Sequence, residues 1–241
     1  MDTSATTTTT APAGVPAGRR GTSRFTAWPL WAVAVGVAGT AATIVTDSRP
    51  PAAAADDDYT VRVADVFTVS QSALFFSMVL GYLTVALLLI LAGSWRRHVE
   101  SKDGASTAAS IVTFGLVASA GALALAYGWR GALANYLPGG MESSAYDVNG
   151  LWVLYMLNDF SAYVGWVPAG VALGAVAWMS LRERTISRWI GALNLLYVVV
   201  TFGAVAGTGV PGLPGTLAAI FLAITGLGLA FGKSPITAEV K

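Results

Sequence analysis

The sequence contains no cysteine and a single histidine, His98. The lack of thiols excludes disulfides, thiolate metal sites and iron–sulfur clusters, and one histidine cannot build a bis-histidine haem site or a histidine zinc site. Lysine occurs only at positions 102, 233 and 241, outside every long apolar run, which argues against a retinal Schiff base within a membrane. We therefore expect neither a metal nor a cofactor.

Charge is also scarce. Of the 241 residues, 11% are charged and 55% are hydrophobic, and the net charge is +1. Soluble domains carry about 25% charged residues, so this deficit indicates a membrane protein. The sequence has no basic patch that could neutralise the phosphates of a nucleic acid. The expected partners are membrane lipids, an unidentified small molecule, and further copies of the chain or other membrane subunits.

Long apolar runs are what the sequence has in abundance. They predict an all-α, polytopic transmembrane bundle of six spans, at about residues 25–46, 69–93, 105–129, 151–181, 189–207 and 216–232. Residues 1–24, rich in Thr, Ala, Pro and Gly, are predicted to be a disordered tail. Residues 233–241 are predicted to form a short C-terminal tail. Basic residues before segment 25–46 leave a cleaved signal peptide as an alternative, but its length favours a retained helix.

The distribution of Lys and Arg predicts the orientation of the bundle. Eleven of these 14 residues fall in the two tails and in the connections 94–104 and 182–188, which alternate with the connections 47–68, 131–150 and 208–215. Because short cytoplasmic segments carry the excess of positive charge, both termini are predicted to be cytoplasmic. The composition is typical of a multi-pass protein of the bacterial cytoplasmic membrane.

The fourth segment contains Asp159, the one acidic residue within a predicted span. Helical spacing places this carboxylate on one side with four aromatic residues, Trp152, Tyr155, Tyr163 and Trp166. A carboxylate inside a membrane marks a functional site by default. However, a span of about 20 residues that ends at Leu181 stops short of Asp159, which would then lie at the outer interface among anchoring Trp and Tyr residues.

The residues near Asp159 suggest two roles for it. Arg130, predicted to flank the outer end of the third span, is the expected ion-pair partner, and Tyr127 and Asn158 lie beside this pair. A sealed contact between Asp159 and Arg130 would indicate a structural role. A cavity that reaches Asp159 from the outer side would indicate ligand binding, with candidate residues Asp159, Asn158, Tyr155, Tyr127 and Arg130.

The sequence therefore favours a non-enzymatic membrane subunit or accessory protein. The alternative is a binder or transporter of a small molecule or lipid, with an outward-facing cavity around Asp159. An enzyme that uses Asp159 or Glu142 as a general acid is less favoured, because one carboxylate without a metal or partner supports few reactions. No catalytic residue is assigned.

Two features predict how the helices pack. Pro168 is expected to bend the fourth helix, since it removes the backbone hydrogen bond to Val164. Gly170 and Gly174 are four residues apart and are expected to face a neighbouring helix, because small residues allow close approach in a membrane.

Overall fold

The computed structural model describes residues 25–46, 49–56, 58–102 and 106–237, and these form helices and turns without a strand. The predicted disordered tail 1–24 and residues 238–241 lie outside the described residues. The α-helices are α1 (Leu30–Thr40), α2 (Pro51–Ala55), α3 (Gln71–Trp95), α4 (Thr107–Tyr136), α5 (Val148–Gly165), α6 (Val167–Trp178), α7 (Arg188–Thr208) and α8 (Leu213–Phe231).

Helices α3, α4, α7 and α8 and the pair α5–α6 run in alternating directions along the chain, so the bundle has two ends. We call the end with residues 59–70, 137–147 and 209–212 the distal end. The end with residues 96–102, 182–187 and 232–237 is the proximal end. The distal end corresponds to the predicted outer side. The all-helical architecture expected from the apolar runs is confirmed.

Five helical segments of the described chain are long and apolar enough to cross a membrane. They are Gln71–Glu100, Thr107–Tyr136, Val148–Glu183, Arg188–Thr208 and Leu213–Phe231. The first predicted span is instead the shorter apolar helix Leu30–Ile44. At 1.5 Å per residue it is about 22 Å long, less than the hydrocarbon core of about 30 Å. Residues 25–29 do not join it, because the helix begins only after Pro29.

Two predicted helix ends are wrong, and the first of them changes the position of a candidate site residue. The third predicted span was expected to end near residue 129, but α4 continues to Tyr136 because residues 131–136 carry no charge or breaker other than Gly131. Arg130 therefore lies inside a helix and not at its end. His98, which falls in the predicted connection 94–104, lies in a π-helical turn that extends α3, where its ring stacks on Trp28 with the ring centroids 5.5 Å apart.

The fourth predicted span is divided into α5 and α6 at Trp166. Pro168 cannot donate a backbone hydrogen bond, and the N–H of Ala169 donates to the side chain of Ser119 on α4 at 2.8 Å. Trp166 itself closes a tight turn, with its N–H bonded to Tyr163 O at 3.2 Å. The interruption expected at Pro168 is therefore present, and a hydrogen bond from another helix stabilises it.

Small residues set the distances between helices. An added Cβ at Gly170 would lie 2.8 Å from the hydroxyl oxygen of Tyr197, and one at Gly174 would lie 3.5 Å from Val198. Both glycines face α7, as predicted from their spacing. At Gly203 and Gly207, by contrast, an added Cβ would meet no atom within 4 Å, so these two face outward.

A small apolar cluster closes the distal end. It comprises Val66, Val69, Leu74, Leu133, Ala134, Leu137, Leu151 and Tyr155. Val66 and Val69 come from the acidic connection between α2 and α3, so this segment folds back onto the helices. Within it, the Tyr59 hydroxyl donates to Asp65 at 3.1 Å. That hydrogen bond and partial desolvation raise the pKa of Tyr59, with desolvation the larger cause.

Candidate functional site

A buried arginine occupies the centre of the distal half. Arg130 is 1% exposed, six residues before the end of α4. Its Nε donates to Asn158 Oδ1 of α5 at 3.0 Å, and its Nη1 donates to Ser77 Oγ of α3 at 2.6 Å. The same Nη1 donates to the carbonyl oxygen of Ala42, in the π-helical turn after α1, at 2.7 Å. One guanidinium thus connects α4 to three other segments.

A second set of polar contacts lies beside this arginine. The hydroxyl groups of Tyr127 and Thr43 are 2.7 Å apart, and the Trp166 indole N–H donates to Thr43 Oγ1 at 3.1 Å. All three side chains are buried. The Arg130 guanidinium carbon lies 5.8 Å from the centre of the Tyr127 ring, within the range of a cation–π contact.

Two glycines make room for these rings. An added Cβ at Gly81 of α3 would collide with the ring of Tyr127, and one at Gly39 of α1 would collide with the indole of Trp166. Any larger residue at either position would push the helix away from α4 or α5. We refer to Arg130, Asn158, Ser77, Thr43, Tyr127 and Trp166 as the polar cluster.

Helix α5 presents a second, different face. Tyr155 and Asp159 are one turn apart, and both line a cavity of about 240 Å³ at the distal end. The other lining residues are Arg49, Ala53, Asp56, Tyr59, Val61 and Phe160. Asp159 is exposed, whereas Asn158, the residue before it, is fully buried in the polar cluster. Because adjacent residues on a helix point about 100° apart, α5 separates the cavity from the cluster.

The five residues predicted as a ligand site therefore divide into two groups. Arg130, Asn158 and Tyr127 come together in the polar cluster, and Tyr155 and Asp159 come together at the cavity. The ion pair between Arg130 and Asp159 stays a prediction. In the predicted aromatic stripe, Trp152 stacks on Tyr155 at 5.5 Å, while Trp166 belongs to the polar cluster.

Sequence reasoning missed several members of both groups. Thr43 and Ser77 are small neutral residues within apolar runs, and nothing in their local sequence indicates a buried partner. Arg49 and Tyr59 lie in the predicted connection 47–68, from which no residue was assigned to the site. The one usable signal was Arg130 itself, because an arginine inside a long helix needs partners from neighbouring segments.

The side-chain chemistry sets limits on what the two groups could do. Among the described residues, no set of three or more His, Asp or Glu side chains is arranged to hold a metal ion. The cavity combines the carboxylates of Asp56 and Asp159 with the guanidinium of Arg49 and two aromatic rings. Such a lining can bind a molecule that carries charges of both signs.

Similarity to known proteins gives no further guide to this cavity. No family model matches the chain, and no curated protein or solved structure matches it. The chemistry of the lining residues therefore carries the functional interpretation.

Proposed function

We propose that this protein is a non-enzymatic membrane protein that binds a small zwitterionic group in the cavity around Asp159. The observation that carries the proposal is the lining of this cavity, which places Asp56 and Asp159 together with Arg49 in one concave site. The two carboxylates would bind an ammonium group, and the guanidinium would bind a carboxylate or phosphate. The rings of Tyr59 and Tyr155 would contact the ammonium group.

The size of the cavity narrows the ligand class. Sites for drug-sized molecules measure about 300–1,000 Å³, so a cavity of about 240 Å³ accommodates something smaller. A free amino-acid-like zwitterion and the phosphoethanolamine headgroup of a lipid share the required chemistry. The position of the cavity at the distal end of apolar helices, where lipid headgroups are found, supports the second source.

In this proposal the polar cluster positions α5 and does not touch the ligand. Arg130 and Asn158 link α5 to α3, α4 and the turn after α1, so Asp159 is carried on a helix fixed from its buried side. Tyr127 is a further positioning residue through Thr43. A site on a fixed helix loses less conformational entropy when a ligand binds.

The topology that goes with this function has six spans with both termini cytoplasmic, in a bacterial cytoplasmic membrane. Its support is the excess of Lys and Arg at the proximal end, together with the pairing of the short helix Leu30–Ile44 with α8 by a packed glycine, Gly36. A reporter that is inactive in the periplasm, fused after Lys241, should give signal. A dark fusion would contradict this orientation and place the cavity on the cytoplasmic side.

A structural subunit remains the second candidate, favoured by the number of segments that Arg130 connects. The two functions differ in whether the cavity must bind anything. In the structural case, replacing a cavity residue changes neither ligand binding nor assembly as long as the polar cluster is intact.

The test measures binding of phosphoethanolamine to the purified protein by isothermal titration calorimetry. Asp159→Asn and Arg49→Gln should each weaken binding about tenfold, equal to about 1.4 kcal/mol. Glu142→Gln, an exposed distal carboxylate outside the cavity, is the matched control and should bind like wild type. Native mass spectrometry from nanodiscs with phosphatidylethanolamine or phosphatidylglycerol then separates a lipid from a free zwitterion. Wild-type affinity in Asp159→Asn would exclude this site.

A further inference from the structure

A second, larger concavity lies between α3 and α4 and shares no residue with the Asp159 cavity. It measures about 820 Å³. One wall is formed by Phe75, Met78 and Tyr82 of α3, and the floor by Gly128, Gly131 and Ala132 of α4. Phe75 and Tyr82 are about half exposed, so this groove opens on the side of the bundle that faces lipid.

Glycines create the floor of this groove. An added Cβ at Gly131 would collide with Met78, and one at Gly128 would lie 3.3 Å from the hydroxyl oxygen of Tyr82. The α3 side chains therefore pass directly over the α4 backbone. A side chain larger than hydrogen at either glycine would lift them and fill the groove.

The groove is polar at one end and apolar along the rest. Gln71, Asn135 and the backbone of Gly139 and Gly140 form its distal end, where Gln71 Nε2 donates to the carbonyl oxygen of Ala134 at 2.8 Å. From Gln71 to Tyr82 the groove follows α3 for about 16 Å, at 1.5 Å per residue. This is about half of a hydrocarbon core of about 30 Å, and so the depth of one leaflet.

No charged side chain is among the 13 residues that line this groove. Amides, a serine hydroxyl and backbone groups can bond to a neutral hydroxyl or carbonyl, but they cannot neutralise a phosphate. We propose that the groove binds a neutral amphiphile with one long apolar chain in the apolar part and an uncharged hydrogen-bonding headgroup at Gln71 and Asn135. An isoprenoid quinone has this chemistry, with a single apolar chain and an uncharged ring whose carbonyl groups accept hydrogen bonds from the amides of Gln71 and Asn135.

The test measures which lipids the full-length protein retains when it is released from nanodiscs in native mass spectrometry. The probes are dioleoylglycerol, ubiquinone-10 and dioleoylphosphatidylglycerol, each supplied separately. Wild type should retain ubiquinone-10 in preference to the two-chain dioleoylglycerol. Ala132→Trp fills the groove and should reduce that retention about tenfold. Ala118→Trp, on the exposed surface of the same helix, is the matched control and should retain it fully.

Two further variants keep the test decisive. Asn135→Leu removes a headgroup contact and should weaken retention while the groove stays open. Phe75→Ala removes a side chain that is 58% exposed, so it should fold even if Ala132→Trp does not, and it should also weaken retention. Equal retention of ubiquinone-10 in Ala132→Trp and Ala118→Trp, or retention of dioleoylglycerol in its place, would overturn the proposal. If Ala132→Trp lowers the retention of dioleoylphosphatidylglycerol, the choice of an uncharged headgroup is wrong.

Discussion

The distal and proximal halves of this bundle are held together by different interactions. In the distal half a buried arginine bonds to Asn158, Ser77 and the turn after α1. In the proximal half the core holds neutral polar side chains but no buried charge among the described residues, and the charged residues lie at the rim. There, Glu183 accepts a hydrogen bond from Ser106 at 2.9 Å, and Glu100 accepts one from Thr113 at 2.8 Å.

In the core nearer the proximal end, the hydrogen bonds between helices join neutral groups. Asn194 of α7 donates to Thr225 of α8 at 3.0 Å, and the Trp95 indole donates to the carbonyl oxygen of Ala109 at 3.0 Å. A neutral pair links two helices and costs little to desolvate, whereas a guanidinium is expensive to bury and needs several acceptors. Under the proposed function, this costly group in the distal half fixes the helix that carries Asp159.

The largest expected effect comes from removing this arginine. Arg130→Leu removes the hydrogen bonds from the guanidinium to Asn158, Ser77 and the Ala42 carbonyl and changes the shape of the core, so we expect a loss of about 3 kcal/mol in unfolding free energy. The unfolding free energy of Arg130→Lys should lie between those of wild type and Arg130→Leu, because an ammonium group lacks the planar fork of a guanidinium. Thermal unfolding in detergent, followed by size-exclusion chromatography, measures the effect. Arg182→Leu, at an exposed position of the proximal end, is the control. Equal melting temperatures for Arg130→Leu and Arg182→Leu would show that the buried arginine does not stabilise the distal half.

The next effect tests the space that the distal rings require. Gly81→Ala and Gly39→Ala should each destabilise the protein by about 2 kcal/mol, because the new methyl group overlaps Tyr127 or Trp166. Gly121→Ala on α4 meets open space and should be neutral or slightly stabilising, through better helix propensity. Urea titration of the three variants in the same detergent provides the comparison. Equal destabilisation by all three would mean that helix chemistry, and not the rings, causes the loss.

A smaller effect is expected where α6 packs on α7. Replacing Gly170 and Gly174 with leucine forces these helices apart, but α7 lies at the edge of the bundle and can move outward. We therefore expect a cost of about 1–2 kcal/mol. The matched control replaces Gly203 and Gly207 of α7, which have no neighbouring atom within 4 Å of an added Cβ. Melting temperatures that do not differ between the two double variants would show that Gly170 and Gly174 do not determine the packing.

The smallest effect concerns the joint between α5 and α6. Ser119→Ala leaves the buried N–H of Ala169 without an acceptor and should cost about 1 kcal/mol. Ser161→Ala is the control, because that hydroxyl bonds only to a carbonyl of its own helix in the described structure. Hydrogen exchange at Ala169 should accelerate in Ser119→Ala alone, and unchanged exchange there would contradict the proposed role of Ser119.

Long apolar runs made the helices predictable, and Pro168 made the interruption of the fourth span predictable. The extension of α4 was not predictable in this way, because Arg130 was interpreted as a marker of the membrane interface. Its acceptors come from α3, α5 and the turn after α1, and a single helix contains no information about what packs on it. For the same reason Asn158 and Asp159, adjacent in sequence, were assigned to one site although they lie on different faces of α5.

The joint at Trp166 leaves the relative position of α5 and α6 to be set by a third helix. The backbone is interrupted there, because Pro168 has no N–H to donate and the N–H of Trp166 bonds to Tyr163 O. Helix α4 runs unbroken from Thr107 to Tyr136, and it bonds to α5 through Arg130 and Asn158 and to α6 through Ser119 and Ala169. Helix α4 therefore acts as a splint across the joint.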